Sequence, residues 1–402
     1  MSTLTLDKTR STVTVKPTLW LASLLFVFFA GWAIQLNYWG LWLLSKGQSD
    51  TEVGLVVAVG LLGRAIVSAA VYPAMLRRFD AQGTLRILVT AAAAFSALFS
   101  AVGGLVGLAL ISFLFGATFP VVMPLTETLL SRAAAARSIT YGTVRLWGSI
   151  GFIAGVGLAS GAADLWGNHA IVYAIDLVCL VLLGHAVFLW PSKDAFTADQ
   201  GRKPGRRRLG AQFVAVLCIA ALVQGSHAAY FLFAAVTIQS NIRNPLAASG
   251  VFALAICFEI VGFRSFSRLS DERAVPVLLL SGAIAGLLRW TMIAMHPSLW
   301  AIVLGQPLHA LTFAGTHYAF ATYVRCHVPP SRWAFAHGAY AAAAMSLAVA
   351  GASLVAGAAA HGSAVAAAYW WMAGLAATGV LIAIPVVRSV VKPAKGLPSV
   401  HA

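Results

Sequence analysis

The sequence predicts an all-α membrane protein in which twelve membrane-spanning helices form two six-helix halves. Three observations lead there. The 402 residues are 60% hydrophobic and only 10% charged, whereas a soluble globular protein carries about 25% charged residues. The apolar residues gather in runs of about twenty, the length a helix needs to cross a bilayer. Barrel strands would instead read as alternating segments of about ten residues. Lysine and arginine, finally, collect at one set of run ends.

Taken in order, the runs span about 19–44, 52–75, 84–101, 104–130, 140–162 and 169–190, with boundaries good to a few residues. The first holds Trp32, a candidate cavity wall, and an aromatic group from Tyr38 to Trp42 near its outer end. The fifth is rich in glycine (Gly148, Gly151, Gly155, Gly157 and Gly161), a small-residue spacing that lets a helix approach its neighbour closely. A polar connector at 191–209 follows, with Gly-Arg-Lys-Pro-Gly-Arg-Arg-Arg at 201–208. Six further runs come after it, about 210–238, 246–266, 274–295, 299–322, 333–358 and 364–388.

The expected organisation is therefore a tail at 1–18, a first half at 19–190, a linker at 191–209, a second half at 210–390 and a tail at 391–402. The eighth run, opening Gly-Val-Phe-Ala-Leu-Ala at 250, faintly echoes the second, opening Gly-Leu-Val-Val-Ala-Val at 54. With both termini placed in the cytoplasm, only Lys46 and Arg243 fall on the opposite side, and only Arg64, Arg145 and Arg289 lie within spans. All other lysines and arginines are cytoplasmic. That is the positive-inside pattern. The net charge of +15 thus reads as topology, and nucleic acid is not an expected partner. The four cysteines are scattered without a Cys-x-x-Cys pair, so no disulfide framework, metal or cofactor is expected.

Charges inside the spans are the informative residues: Arg64, Glu127, Arg145, Asp176, Glu259 and Arg289, with His227, His309, His317 and His337. Each charge near the bilayer centre costs about 2.5–3.5 kcal/mol on insertion scales. Such residues face a partner or a water-filled cavity, so a substrate or ion pathway is the default reading. Glu127 and Arg145 sit near one end of adjacent spans, where they can snorkel or pair across a cavity. Arg64, Glu259 and Arg289 are more central and are candidates for ion pairing or for the pathway. Asp176 has no obvious partner, and His337 reads as a packing residue. An enzyme would need a catalytic cluster such as His-Glu-x-x-His, and none is present. A ligand-binding sensor that transports nothing stays open.

Several stretches then resemble a known family. Tyr-Gly-Thr-Val-Arg-Leu-Trp-Gly-Ser at 141–149, Gln-Gly-Ser-His-Ala-Ala-Tyr at 224–230, Leu-Leu-Arg-Trp at 287–290 and Leu-His-Ala-Leu-Thr-Phe at 308–313 with the following Gly-Thr-His are similar to the 3-phenylpropionate transporter family. This branch of the major facilitator superfamily is related to the oligosaccharide:proton symporters. The resemblance covers nearly the whole chain and implies two halves that rock about a central site.

In the related symporters an acid on helix four and an arginine on helix five centre the substrate site; Glu127 and Arg145 match them. Glu259 and Arg289 match an acid and an arginine used for coupling, and His309 or His317 matches a histidine on helix ten. The accompanying helix-ten carboxylate is missing, since 306–322 contains no acid. Glu259 is then the expected proton carrier. The loop at 73–80 departs from the superfamily pattern, which leaves Arg64, Asp80 and His227 as candidate ion pairs or gates. Helix five also lacks the Gly-Pro step of the antiporters, which weighs against efflux.

The expectation is a monomeric, multi-pass protein of a bacterial inner membrane that imports a small aromatic carboxylate with protons. Arg145 can hold a carboxylate through two parallel hydrogen bonds, with Trp147, Trp32, Tyr230 and Phe231 flanking the ring. A sugar or nucleoside symporter is the alternative.

Overall fold

The computed structural model describes residues 16–135, 141–191, 210–242, 244–266, 274–329, 332–360 and 365–391. Residues 192–209 of the expected linker (191–209) and most of both expected tails lie outside the described residues. Every described element is helical. Eleven helices are long and apolar enough to cross a membrane. They are α1 (Pro17–Asn37), α2 (Asp50–Leu76), α3 (Ala81–Ala101), α4 (Leu105–Leu130), α5 (Thr143–Trp166), α6 (Asn168–Phe188), α7 (Ala211–Asn241), α8 (Ala247–Phe266), α9 (Ala274–Met295), α11 (Phe335–Ala359) and α12 (Val365–Val386). The tenth predicted span, α10 at 299–327, is helical throughout but is not among those eleven. Gln306, His309, Thr312, Thr316 and His317 occupy its middle, so it is the least apolar of the series.

The polar ends show how the helices start. Ser49 and Glu52 form a reciprocal capping box at α2, and Ser298 caps α10. The seam foreseen on α5 lies against α1. A Cβ on Gly151 would strike the Phe26 carbonyl, and one on Gly155 the Ala30 carbonyl. Three π-helical turns interrupt α2, α10 and α11, at Val67–Val71, Ala310–Gly315 and Ala343–Leu347. Such turns are rare and concentrate at functional positions.

We call the end where α1 starts basal and the other distal. The helices before and after the connector share one apolar core at the distal end. That core takes Ala228–Ile238 of α7, the first turns of α8 and the last turns of α11 together with α1 to α6. The basal turns of α7, α9, α10 and α11 form a separate core around Phe213, Leu279, Phe320 and Tyr340. Distal contacts are close: a Cβ on Gly54 of α2 would lie 2.5 Å from the Ser353 carbonyl of α11, and one on Gly40 would strike the Leu232 carbonyl. Asn168 and Gln239 exchange two amide hydrogen bonds there. At the basal end α2 still touches α11, through Val67–Val71 and Trp333–Ala342. The two groups of helices thus share a core distally and keep separate cores basally, a parting bridged there by the α2–α11 contact.

Candidate functional site

Three groups of side chains line or adjoin the space between the halves. The first is the pair expected from the sequence. Glu127 Oε1 lies 3.6 Å from Arg145 Nε, with both side chains partly exposed. That separation is an ion pair beyond hydrogen-bond distance at these two atoms. The Arg145 guanidinium also stacks over Phe29 of α1, 4.3 Å from the ring centre. Gly148, one turn on, makes this possible: a Cβ there would lie 2.7 Å from Arg145 Nη1 and 2.8 Å from Phe29. The α4 helix is broken by a 3-10 turn at Phe119–Val121 before it delivers Glu127. Across the parting, the Arg145 charge also acts on Glu259 and His317.

The second group is a buried chain within the second half. His309 Nε2 lies 3.7 Å from Glu259 Oε2. On its other side, His309 Nδ1 lies 3.1 Å from Arg289 Nη1, while Arg289 Nη2 donates to Gln306 Oε1 at 3.1 Å. Gln306 Nε2 in turn donates to the Tyr230 hydroxyl. The guanidinium lies beside the Tyr230 and Trp290 rings, 4.6 and 4.5 Å from their centres, which are themselves 6.1 Å apart. An arginine can only donate, so His309 Nδ1 must accept. In the neutral ring the proton then sits on Nε2, pointing at Glu259. Sequence reasoning missed Gln306 and Trp290, because an uncharged amide and an indole do not stand out in an apolar run. The amide in Gly-Gln-Pro-Leu-His was the available signal.

The third is a cavity of about 910 Å³ of atom-free space, part of it open to solvent. Trp32, Phe231, Phe313, Gln224 and Met345 line it together with Arg64. Arg64 lies with its guanidinium 4.5 Å from the Trp32 ring centre, and its Nη1 donates to the Met345 carbonyl at 3.4 Å.

The remaining expected residues are placed as follows. Trp147 is 46% exposed on the outer face of α5, among Leu146, Ile150 and Leu158, and so does not flank the site. At about 100° per residue it lies roughly opposite Arg145. Asp80 caps α3, accepting from the Gly83 amide at 2.6 Å, and forms no gate pair with Arg64. His227 is buried and bonded to the Val223 carbonyl and the Thr312 hydroxyl, with no carboxylate among its described partners. His317 is exposed to the opening, with Phe263 and Tyr340 beside its ring. Tyr230 is buried in the second group, 3% exposed, while Phe231 lines the cavity. Asp176 interacts with Ser96 and Cys179, away from the parting. His337 packs on Phe320.

The family model described as "MFS_1 like family" matches residues 18–371. The chain belongs to this family. As an MFS_1 like protein it is 28% identical over 316 residues to the "Probable 3-phenylpropionic acid transporter" of Escherichia coli (strain K12). That alignment covers 77% of this chain and 83% of the relative. It is 26% identical over 246 residues to the maltose permease of Geobacillus stearothermophilus, covering 61% of this chain and 56% of the permease. Two crystal structures of the nucleoside transporter NupG superpose with TM-scores of 0.77 and 0.73 at 15% and 16% identity. They cover 92% and 94% of this chain, and 99% and 100% of theirs. That likeness is one of fold. The MFS_1 like protein is thus an all-helical, multi-pass membrane transporter of the major facilitator fold.

Proposed function

We propose that this MFS_1 like protein is a proton-coupled importer of a small aromatic carboxylate, working by alternating access. One observation carries the reading: the helix groups join distally and part basally around buried, charged and aromatic residues. A rocking motion about that site would expose it to each side in turn. The distal seal and the basal opening describe the inward-facing half of such a cycle, with twelve spans, halves at 19–190 and 210–390, and both termini cytoplasmic in a bacterial inner membrane. The protein acts as a monomer and catalyses no chemistry.

Glu259 is the proton carrier in this reading. Arg289 fixes His309 with its Nε2 proton toward Glu259, so the carboxylate is the member of the group free to exchange a proton. The Glu127–Arg145 pair stands at the basal mouth, where its loose geometry lets it open and reform as the halves move. The substrate class rests on the relative named for 3-phenylpropionic acid. The maltose permease and the nucleoside transporter support a second reading, a sugar or nucleoside symporter.

The test is uptake of labelled 3-phenylpropionate by cells expressing the chain, with and without a protonophore. Accumulation that collapses with the protonophore is expected. Absence of uptake from correctly inserted protein, with accumulation of maltose or a nucleoside instead, would move the assignment to the second reading.

A further inference from the structure

The three arginines singled out from the sequence, Arg64, Arg145 and Arg289, differ in one decisive respect. Arg145 has Glu127. Arg289 is fully buried and enclosed by His309, Gln306, Tyr230 and Trp290. Arg64 is 6% exposed, yet no carboxylate among the described residues pairs with it. Among the described residues its one hydrogen bond is a long one to the Met345 carbonyl. Arg64 is a lining residue of the cavity. The cavity wall around it is otherwise neutral, mostly aromatic and aliphatic, with Gln35 and Gln224 as its amides.

A buried cation without a counter-ion is costly, and removing it from water is repaid only by a well-placed anion. We infer that Arg64 is the residue that binds the substrate's carboxylate, and that the cavity takes an arylalkyl carboxylate monoanion. This rests on the transporter reading above and deepens it. The guanidinium lies against Trp32, 4.5 Å from the ring centre, and both residues line the cavity, where the planar fork is offered to a ligand in this assignment. That fork matches a carboxylate through two parallel N–H···O bonds. Phe231 and Phe313 supply apolar surface for an aryl ring. A neutral sugar would leave the Arg64 charge uncompensated. The assignment moves the carboxylate from Arg145, where the sequence placed it, to a cation that has no carboxylate of its own.

The same geometry links binding to movement. The Met345 carbonyl belongs to the π-helical turn of α11, so the Arg64 bond bridges the two helix groups. A carboxylate on Arg64 competes with that carbonyl and loosens the bridge.

The experiment is a binding titration on the purified full chain with 3-phenylpropionate and its uncharged analogue 3-phenylpropanamide, in wild type, R64Q, R64K and R145Q. Wild type is expected to favour the acid by roughly tenfold or more, the scale of a charge-assisted hydrogen bond. R64Q should bind both compounds about equally, a change that a merely structural role would not produce. Where R64Q does not give monodisperse protein, R64K carries the test, because it keeps the charge but loses the fork. It should weaken the acid while leaving the amide unaffected. An undiminished acid preference in the Arg64 variants overturns the inference. So does a preference lost only in R145Q, and in both cases the transporter reading survives. Wild type that binds neither compound, while transporting a sugar or nucleoside, overturns the aromatic-acid reading itself.

Discussion

The Nε2 of His309 lies 3.7 Å from Oε2 of Glu259, and both side chains are less than one-tenth exposed. The imidazole is held from behind by Arg289, so its orientation toward the carboxylate is fixed. Glu259→Gln keeps the shape of that contact but cannot take up and release a proton. Uphill accumulation should be abolished, while downhill counterflow in proteoliposomes continues within roughly threefold, the scale of a modest change in a single contact. Proton-driven accumulation that survives in the variant would remove Glu259 from the coupling path.

Arg145→Lys should lower uptake by about tenfold or more with normal membrane expression. Lysine keeps the charge but loses the planar group that both stacks on Phe29 and faces Glu127. Initial uptake rates normalised to membrane protein would check this. Near-normal rates would mean that charge alone suffices at the basal mouth.

Gly54→Val should disturb the distal seam. Even a Cβ at Gly54 would lie 2.5 Å from the Ser353 carbonyl, and the added methyl groups need more room still. Backbone on both sides leaves nothing flexible to yield, so the distal end should be propped open. In a cysteine-free background, a Thr51→Cys probe should react with an impermeant thiol reagent roughly tenfold faster when Gly54→Val is present, a shift of about 1.4 kcal/mol between the two states. Unchanged reactivity would show that the seam is not a moving part.

Trp147→Leu should leave uptake within about twofold of wild type, as expected for a substitution away from packed or paired groups. The indole is 46% exposed on the outer surface of α5. A large fall in uptake would return Trp147 to the substrate pathway.

Much of the helix order was legible because apolar length and charge sorting are direct consequences of the bilayer. The Glu127–Arg145 pair was legible for a related reason: two opposite charges at similar depth on adjacent spans stand out against an apolar background. Trp147 was misread because a membrane helix is apolar on its lipid face as well as on its packed face. Residue type therefore does not tell which way an indole points. The Arg64 bond to Met345 was invisible, since the acceptor is a backbone carbonyl in a π-helical turn that no side chain announces. Gln306 was overlooked because the search was for charge, although its amide ties Arg289 to Tyr230.

The distal seam also bears on speed. Where Gly54 and Gly40 meet carbonyls of the opposite group, backbone rests on backbone, with no bulky side chains to withdraw. Those close approaches sit within the apolar core that the two groups share, so opening the seam also uncovers part of it, at about 25 cal/mol per Å² of apolar area. In the alternating-access reading, the tightness of that seam sets part of the cost of reorientation, a motion of the microsecond-to-millisecond class. Larger residues along that seam would slow each turnover even where they left the substrate cavity untouched.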